Sequence, residues 1–206
     1  MILNLRGTSG SGKSFVIKQW LADYCQRPLY GCFGTRAPEA YLTRAPGVVD
    51  PIYVLGPYHS PCGGCDAVQP YSLILDLLSR YGERGHVLFE GLFVSSSYGS
   101  VCKTLEPWGQ DAVLLFLNTP LEVCLEHVRQ RRATRGDCKP FNEANTRDKF
   151  AQIVGLREKL ASPLYRGSAQ TFTVLETSAA DAVPLILQLL QRGSLGEEHG
   201  TLCSAH

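Results

Sequence analysis

At 206 residues, 44% of them hydrophobic, the chain has material for one sizeable core and one domain with an insertion, and two full domains would be cramped. Its 20 basic and 19 acidic residues leave a formal net charge of +1, so no global field marks a nucleic-acid or membrane partner and any polyanion has to be met by a local patch. The opening "MILNLRGTSGSGKS" lacks a long apolar core and a small-residue cleavage site, and no apolar run approaches the roughly 18 residues that span a bilayer. The expectation is a soluble, cytoplasmic protein with no membrane partner. Its cysteines (Cys25, Cys32, Cys62, Cys65, Cys102, Cys124, Cys138 and Cys203) are scattered, and without a secretory signal they read as small buried apolar residues rather than a disulfide framework.

In chain order, "MILNL" is a short strand, followed by a helix from about Ser14 to Cys25 on which Phe15, Val16, Trp20 and Leu21 share a face. "VVDPIYVLGPY" is a second strand that Pro51 opens. "SLILDLLSRYG" is an amphipathic helix ending near Gly82, and "HVLFEGLFV" is a strongly apolar strand with Glu90 near its end. "AVLLFLN" is another such strand, after which Pro120 opens the helix "LEVCLEHVRQRR". "NTRDKFAQIVGLREKLAS" gives a further helix, "TFTVLET" the last strand and "AVPLILQLLQRG" the closing helix. Strands alternating with helices at this spacing predict right-handed crossovers and an α/β fold with a parallel sheet covered on both faces. Residues 1–193 make the folded domain, and the polar stretch 194–206 is a flexible tail.

Between the first strand and first helix stands "RGTSGSGKSF". Gly7, Gly12, Lys13 and Ser14 fit G-x-x-x-x-G-K-[ST] in the strand–helix context that motif requires. The glycines let successive backbone N–H groups of Gly7, Thr8, Ser9, Gly10, Ser11 and Gly12 face inward, a nest for phosphate oxygens at the positive end of a helix. Lys13 then reaches the β- and γ-phosphates of ATP and the Ser14 hydroxyl ligates Mg²⁺. The plain alternative is a flexible Gly/Ser turn.

The chain resembles the P-loop kinases of the nucleoside and nucleotide kinase group over most of its length. "VLLFLNTPLEVCLEHVRQRRATRG" is similar to that group's fourth strand, following helix and arginine-bearing lid, and "FTVLETSAADAVPLILQLL" to its final strand, adenine-side turn and closing helix. More narrowly, "YVLGPYHSPCGGCDAV" with "VLFEGLFVSSSYG" is similar to bacteriophage kinases of thymine hypermodification, which phosphorylate hydroxymethyluracil in DNA. The resemblance implies a three-layer α/β/α P-loop NTPase fold with a five-stranded, mostly parallel sheet and a lid at about residues 129–148. It implies ATP and Mg²⁺ as cofactors, modified phage DNA as acceptor, and the host cytoplasm as the place of action for a phage-encoded chain.

Phosphoryl transfer needs in-line positioning, charge neutralisation and a proton acceptor. Asp66 follows a strand and a glycine pair, where kinases of the resembled group keep an acceptor-binding acid. Glu90 ends an apolar strand, where ligands collect in parallel sheets, and a carboxylate there is costly to bury unless it serves a metal, a substrate or an arginine. Asp66 is assigned as general base and Glu90 as a Mg²⁺ ligand, with the exchanged roles open and a cap or buried ion pair as the non-catalytic alternative for each. Among Arg129, Arg131, Arg132 and Arg135, the expected phosphate clamps are Arg131 and Arg135, the others pairing with the helix end and solvent. Lys139, Arg147 and Lys149 extend the cluster toward a nucleic-acid backbone.

"HSPCGGCD" places His59, Cys62 and Cys65 at metal-ligand spacing, yet a zinc site needs a second pair that the sequence lacks. A glycine-rich acceptor loop lined by Tyr58 and His59 is the favoured meaning. In "FVSSSYGS", Ser95 can hydrogen-bond the acceptor and Tyr98 can stack on a base, the alternative being an ordinary polar loop. The function expected is therefore γ-phosphoryl transfer from ATP to the hydroxymethyl group of hydroxymethyluracil in DNA. The alternatives are a nucleoside or nucleotide kinase, and a P-loop regulator without kinase activity, which would be expected to carry an N-K-x-D-like guanine signature that the sequence lacks.

Overall fold

In the computed structural model, which describes residues 1–31, 34, 36–59, 63–96, 105–162 and 172–195, the apolar runs lie side by side in one sheet. The strands β1 (Ile2–Arg6), β4 (Ile52–Leu55), β5 (His86–Glu90), β6 (Ala112–Leu117) and β7 (Thr173–Thr177) are mutually parallel. Every residue of β1, β5 and β6 is buried, as expected for strands covered on both faces. Residues 60–62, 97–104 and 196–206 lie outside the description, and with them the readings made for Cys62, for Tyr98 and for most of the tail.

The sheet has seven strands in the order β2-β3-β4-β5-β1-β6-β7, not five. The two unexpected ones, β2 (Cys25–Leu29) and β3 (Ala40–Thr43), form an antiparallel hairpin that adds to the free edge of β4. Their sequences hide them. "CQRPL" is exposed along four of its five residues and carries Pro28, so it has neither apolar alternation nor a full set of ladder donors. Pro28 and exposed polar groups also suit an edge strand, because they discourage pairing with another chain.

Helices cover both faces. On one side α1 (Lys13–Tyr24) and α6 (Ala182–Leu195) pack Val16, Ile17, Trp20, Val183, Ile186 and Leu190 against Leu3, Leu5 and Leu115. On the other, α2 (Ser72–Gly82), α3 (Leu92–Ser96) and α5 (Glu143–Ala161) pack Ile74, Leu77, Leu78, Val94, Ile153 and Leu160 against Ile2, Phe89 and Phe116. α4 (Leu121–Thr134) links β6 to α5 and buries Cys124, Leu125 and Val128. Two sequence expectations are corrected here. Phe15 is 65% exposed instead of sharing the buried face of α1, and Cys25 is exposed because the chain has already turned into β2. Trp20 anchors the same helix to the hairpin, its Nε1 donating to the Thr43 hydroxyl at 3.1 Å. No helix among the described residues is long and apolar enough to cross a membrane.

Candidate active site

The register of the central strands sets the geometry. Leu5 pairs with Glu90, so the loop that leaves β1 rises beside the carboxyl end of β5. That loop, residues 7–14, turns on Gly10 and Gly12, whose φ values of 81° and 98° fall in the left-handed region that glycine tolerates. Gly10 also meets the α4 backbone so closely that a Cβ there would stand 2.1 Å from the Cys124 carbonyl oxygen. The Thr119 hydroxyl donates to the Ser11 carbonyl at 2.8 Å, and His127 Nδ1 bonds the Gly10 carbonyl at 2.8 Å. The loop is thus clamped from the α4 side.

Lys13 is buried, and its ammonium donates to the Gly7 and Thr8 carbonyls at 2.7 and 3.0 Å. Burial pulls its pKa below the usual lysine value, opposed by the charges of Glu90 and Asp66. Ser14 donates its hydroxyl to Glu90 Oε1 at 2.8 Å. Glu90 is 1% exposed, and burial pushes its carboxyl up to about 7, against the pull of Lys13 and the Ser14 hydrogen bond. A hydroxyl and a carboxylate this close form an all-oxygen donor pair of the kind Mg²⁺ prefers, so the residues present fit that ion. The hydroxyls of Thr8 and Ser11 are buried without hydrogen-bond partners and are available to a ligand held by the loop.

Asp66 sits in a 3₁₀ turn, Gly64–Ala67, and is exposed. Its Oδ2 accepts the Leu92 N–H at 2.7 Å and its Oδ1 the Phe93 N–H at 3.1 Å, so it caps α3. Gly64 takes φ 80° and lies so close to Glu90 that a Cβ would come within 2.5 Å of Oε1. The turn bearing Asp66 and the strand bearing Glu90 are in direct contact as a result. A cavity of about 560 Å³ is lined jointly by the loop from Thr8 to Phe15, by Asp66 and Glu90, and by Thr119, His127, Arg131 and Ala179.

Of the site residues assigned from sequence, the structure gathers residues 8–12, Lys13, Ser14, Asp66, Glu90 and Arg131 on this cavity, whereas Gly7, Tyr58, His59, Ser95 and Arg135 are not on its lining. Tyr58 is buried in the α1-side core, with its N–H donating to the Tyr41 hydroxyl at 3.1 Å and its own hydroxyl unpartnered. His59 is exposed and off the cavity lining. Ser95 is fully buried, its hydroxyl donating to the Gly91 carbonyl at 2.5 Å and accepting the Gly7 N–H at 3.3 Å, so it fastens α3 to the start of the phosphate loop. Arg135 is the C-cap of α4 and lies off the lining. Arg129 pairs with Glu143 and Glu126, and Arg132 with Asp137 while lying over the Phe141 ring. No group of three metal-ligating side chains occurs among the described residues.

His127 and Thr119 were not expected. His127 lies one turn before Arg131 on α4, so the i, i+4 spacing that puts both on one face was the available signal.

No protein-family model matches the chain. Over 192 residues it is 35% identical to the 5-hmdU DNA kinase of Pseudomonas phage PaMx11, across 92% of this chain and 97% of that protein. The chain belongs to the 5-hmdU DNA kinase family. A second such kinase, from Pseudomonas phage M6, is 28% identical over 171 residues, across 76% of this chain and 83% of its own. Among solved structures, a gluconokinase from Sinorhizobium meliloti 1021 aligns with 97% of this chain and 96% of its own at a TM-score of 0.43 and 17% identity.

In this kinase the loop's dependence on Gly10 is open to direct test. Gly10→Ala adds a methyl against the Cys124 carbonyl at a left-handed φ, and the expected result in calorimetry is an ATP Kd raised by about tenfold or more. Unchanged affinity would mean that α4 does not brace the loop.

Proposed function

We propose that the chain is an ATP-dependent kinase that transfers the γ-phosphoryl group of ATP to the hydroxymethyl oxygen of 5-hydroxymethyldeoxyuridine in phage DNA. The observation that carries the reading is the single cavity shared by the phosphate loop, Glu90, Asp66 and Arg131. Its volume of about 560 Å³ is in the range of small-molecule sites, enough for a nucleotide's phosphates beside one acceptor group. Membership of the 5-hmdU DNA kinase family supports the choice of acceptor.

In this reading the free backbone amides of the loop beyond Gly7, whose own N–H is held by Ser95, and the α1 N-terminus cradle the phosphates, and Lys13 leaves the Gly7 and Thr8 carbonyls for the β- and γ-oxygens. Ser14 and Glu90 hold Mg²⁺, which when bound neutralises charge on the β- and γ-phosphates. Arg131 reaches the phosphates from α4, at the start of a lid spanning about residues 129–148. Asp66 takes the acceptor proton. Each of its oxygens already accepts one backbone N–H, which fixes the carboxylate and leaves lone pairs for the acceptor hydroxyl. A bond forms between the acceptor oxygen and the γ-phosphorus, the bond to the β–γ bridging oxygen breaks, and ADP leaves with that electron pair.

Three tests address this reading. γ-Labelled ATP offered with hydroxymethyluracil DNA, ordinary DNA and free nucleosides should label the modified DNA alone. Label confined to nucleosides would instead make the chain a small-molecule kinase, and phosphate release without any acceptor would make it a switch. Asp66→Asn should lower kcat by on the order of a hundredfold or more while ATP affinity stays within about threefold, because an amide cannot accept the proton. Normal turnover in that variant would remove Asp66 from the base role.

The third test uses pH. With its pKa raised to about 7, Glu90 is increasingly protonated as pH falls below that value, so Mg²⁺ must displace a proton to bind. The Mg²⁺ concentration for half-maximal activity should therefore rise as pH is lowered from 8 to 6, at about tenfold per unit in the acid limb. A requirement that stays flat over this range would count against Glu90 as the ligand.

A further inference from the structure

We propose that the groove between α2 and the β2–β3 hairpin carries the phosphodiester backbone of the DNA substrate. The inference rests on the proposed function and adds to it the surface that holds the polymer. A cavity sized for a nucleotide and one acceptor group leaves the rest of the DNA strand outside it. The chain's near-neutral total charge also requires that strand to be met by a local positive patch.

Topology selects the side. The phosphate loop follows β1, the acceptor turn follows β4, and the hairpin continues the sheet beyond β4. Its β3 end is joined to the acceptor turn by backbone. The Gly56 N–H donates to the Glu39 carbonyl at 2.8 Å, a Cβ on Gly56 would meet the Gly64 backbone at 2.6 Å, and Gly64 abuts Glu90. A nucleotide whose base entered past that turn would leave its neighbours over the hairpin.

Charge agrees with this placement. The groove, about 460 Å³, is lined by Arg27, Arg80 and Arg84 with Tyr30, Tyr81 and one carboxylate, Glu39. Glu39 is 3% exposed and already accepts from the Tyr81 hydroxyl at 2.6 Å and from Arg80 at 3.2 Å, so its charge is spent inside the protein. Among the described residues, the guanidinium groups of Arg27 and Arg84 have no ion-pair or hydrogen-bond partner. Guanidinium forks suit phosphate, and Tyr30, 52% exposed, offers a face on which a base or sugar can pack. The sequence cluster between α4 and α5 is a weaker candidate, because Arg129, Arg132 and Arg147 are all engaged with carboxylates there.

The test uses the double variant Arg27→Ala/Arg84→Ala, which leaves the Arg80–Glu39–Tyr81 contacts in place. Binding of duplex DNA is followed by fluorescence anisotropy from about 50 to 200 mM salt, alongside phosphoryl transfer to hydroxymethyluracil DNA. The expected result is an affinity about tenfold weaker at low salt and a log–log salt slope shallower by about two, with the KM for ATP unchanged. Arg27→Lys/Arg84→Lys should restore most of the slope. Affinity and slope equal to the parent protein's would overturn the proposal even if transfer proceeds normally. Absence of transfer to modified DNA in the parent would instead sink the functional reading, and the anisotropy alone would then decide the groove.

Discussion

The hydrogen bond from Ser14 to Glu90 is the constraint on which the site is built. It crosses between two neighbouring strands' ends, joining the first turn of α1 to the last residue of β5, and it exists because Leu5 and Glu90 are in register. A carboxyl that is 1% exposed cannot remain there without partners. Ser14 supplies a donor, Lys13 a nearby positive charge, and the remaining desolvation cost appears as a pKa of about 7. Burial also tightens what surrounds it. Gly64 must be glycine because any side chain would occupy the place of the Glu90 carboxylate, and Gly56 must be glycine because Gly64 lies against it.

A second set of contacts ties the turn bearing Asp66 to the start of the loop that follows β1. Asp66 caps α3 through two backbone N–H groups, and α3 carries Ser95, whose hydroxyl spans Gly91 and Gly7. Arg6, fully buried, adds bonds to Asn4 and to the Ser95 carbonyl beneath. The short helix after β5 is therefore a strut between the turn bearing Asp66 and the first residue of the loop. In the proposed reaction this strut keeps the acceptor oxygen and the γ-phosphate at a fixed separation, which is most of what phosphoryl transfer asks of a protein.

The parallel strands and their helices were legible because burial on both faces leaves nearly unbroken apolar runs, and "MILNL", "HVLFE" and "AVLLFL" have no other good explanation. The meeting of Lys13, Ser14 and Glu90 at one cavity was legible for a related reason, since glycine spacing and a lone acid in an apolar strand are both costly unless used. The hairpin was not, because an exposed edge strand leaves no apolar period to read. That omission carried the error at Tyr58 with it. The hydroxyl that meets its backbone belongs to Tyr41 on β3, so nothing in the local sequence announces that the residue is roofed over. Ser95 shows a different limit. A serine just past a strand end can face a ligand or satisfy the backbone, and only the neighbouring Gly7 and Gly91 decide between these.

Total charge conceals how the arginines are divided. A count of 20 basic against 19 acidic residues is what remains after opposite charges have paired in some places and not in others. At the α4–α5 turn, the densest basic stretch of the sequence, the carboxylates of Glu122, Glu126, Asp137 and Glu143 take up Arg129, Arg132 and Arg147, and the arginine facing the cavity is Arg131. Exposed pairs of this kind contribute little to stability, and each leaves less unpaired positive charge on that turn to meet a polyanion. Density of like charge along a sequence is thus a poor guide to where a phosphate will bind. The better guide is the balance of charge left on each surface after the fold has made its own pairs, and that balance exists only once distant segments such as Arg27 and Arg84 have been brought to one groove.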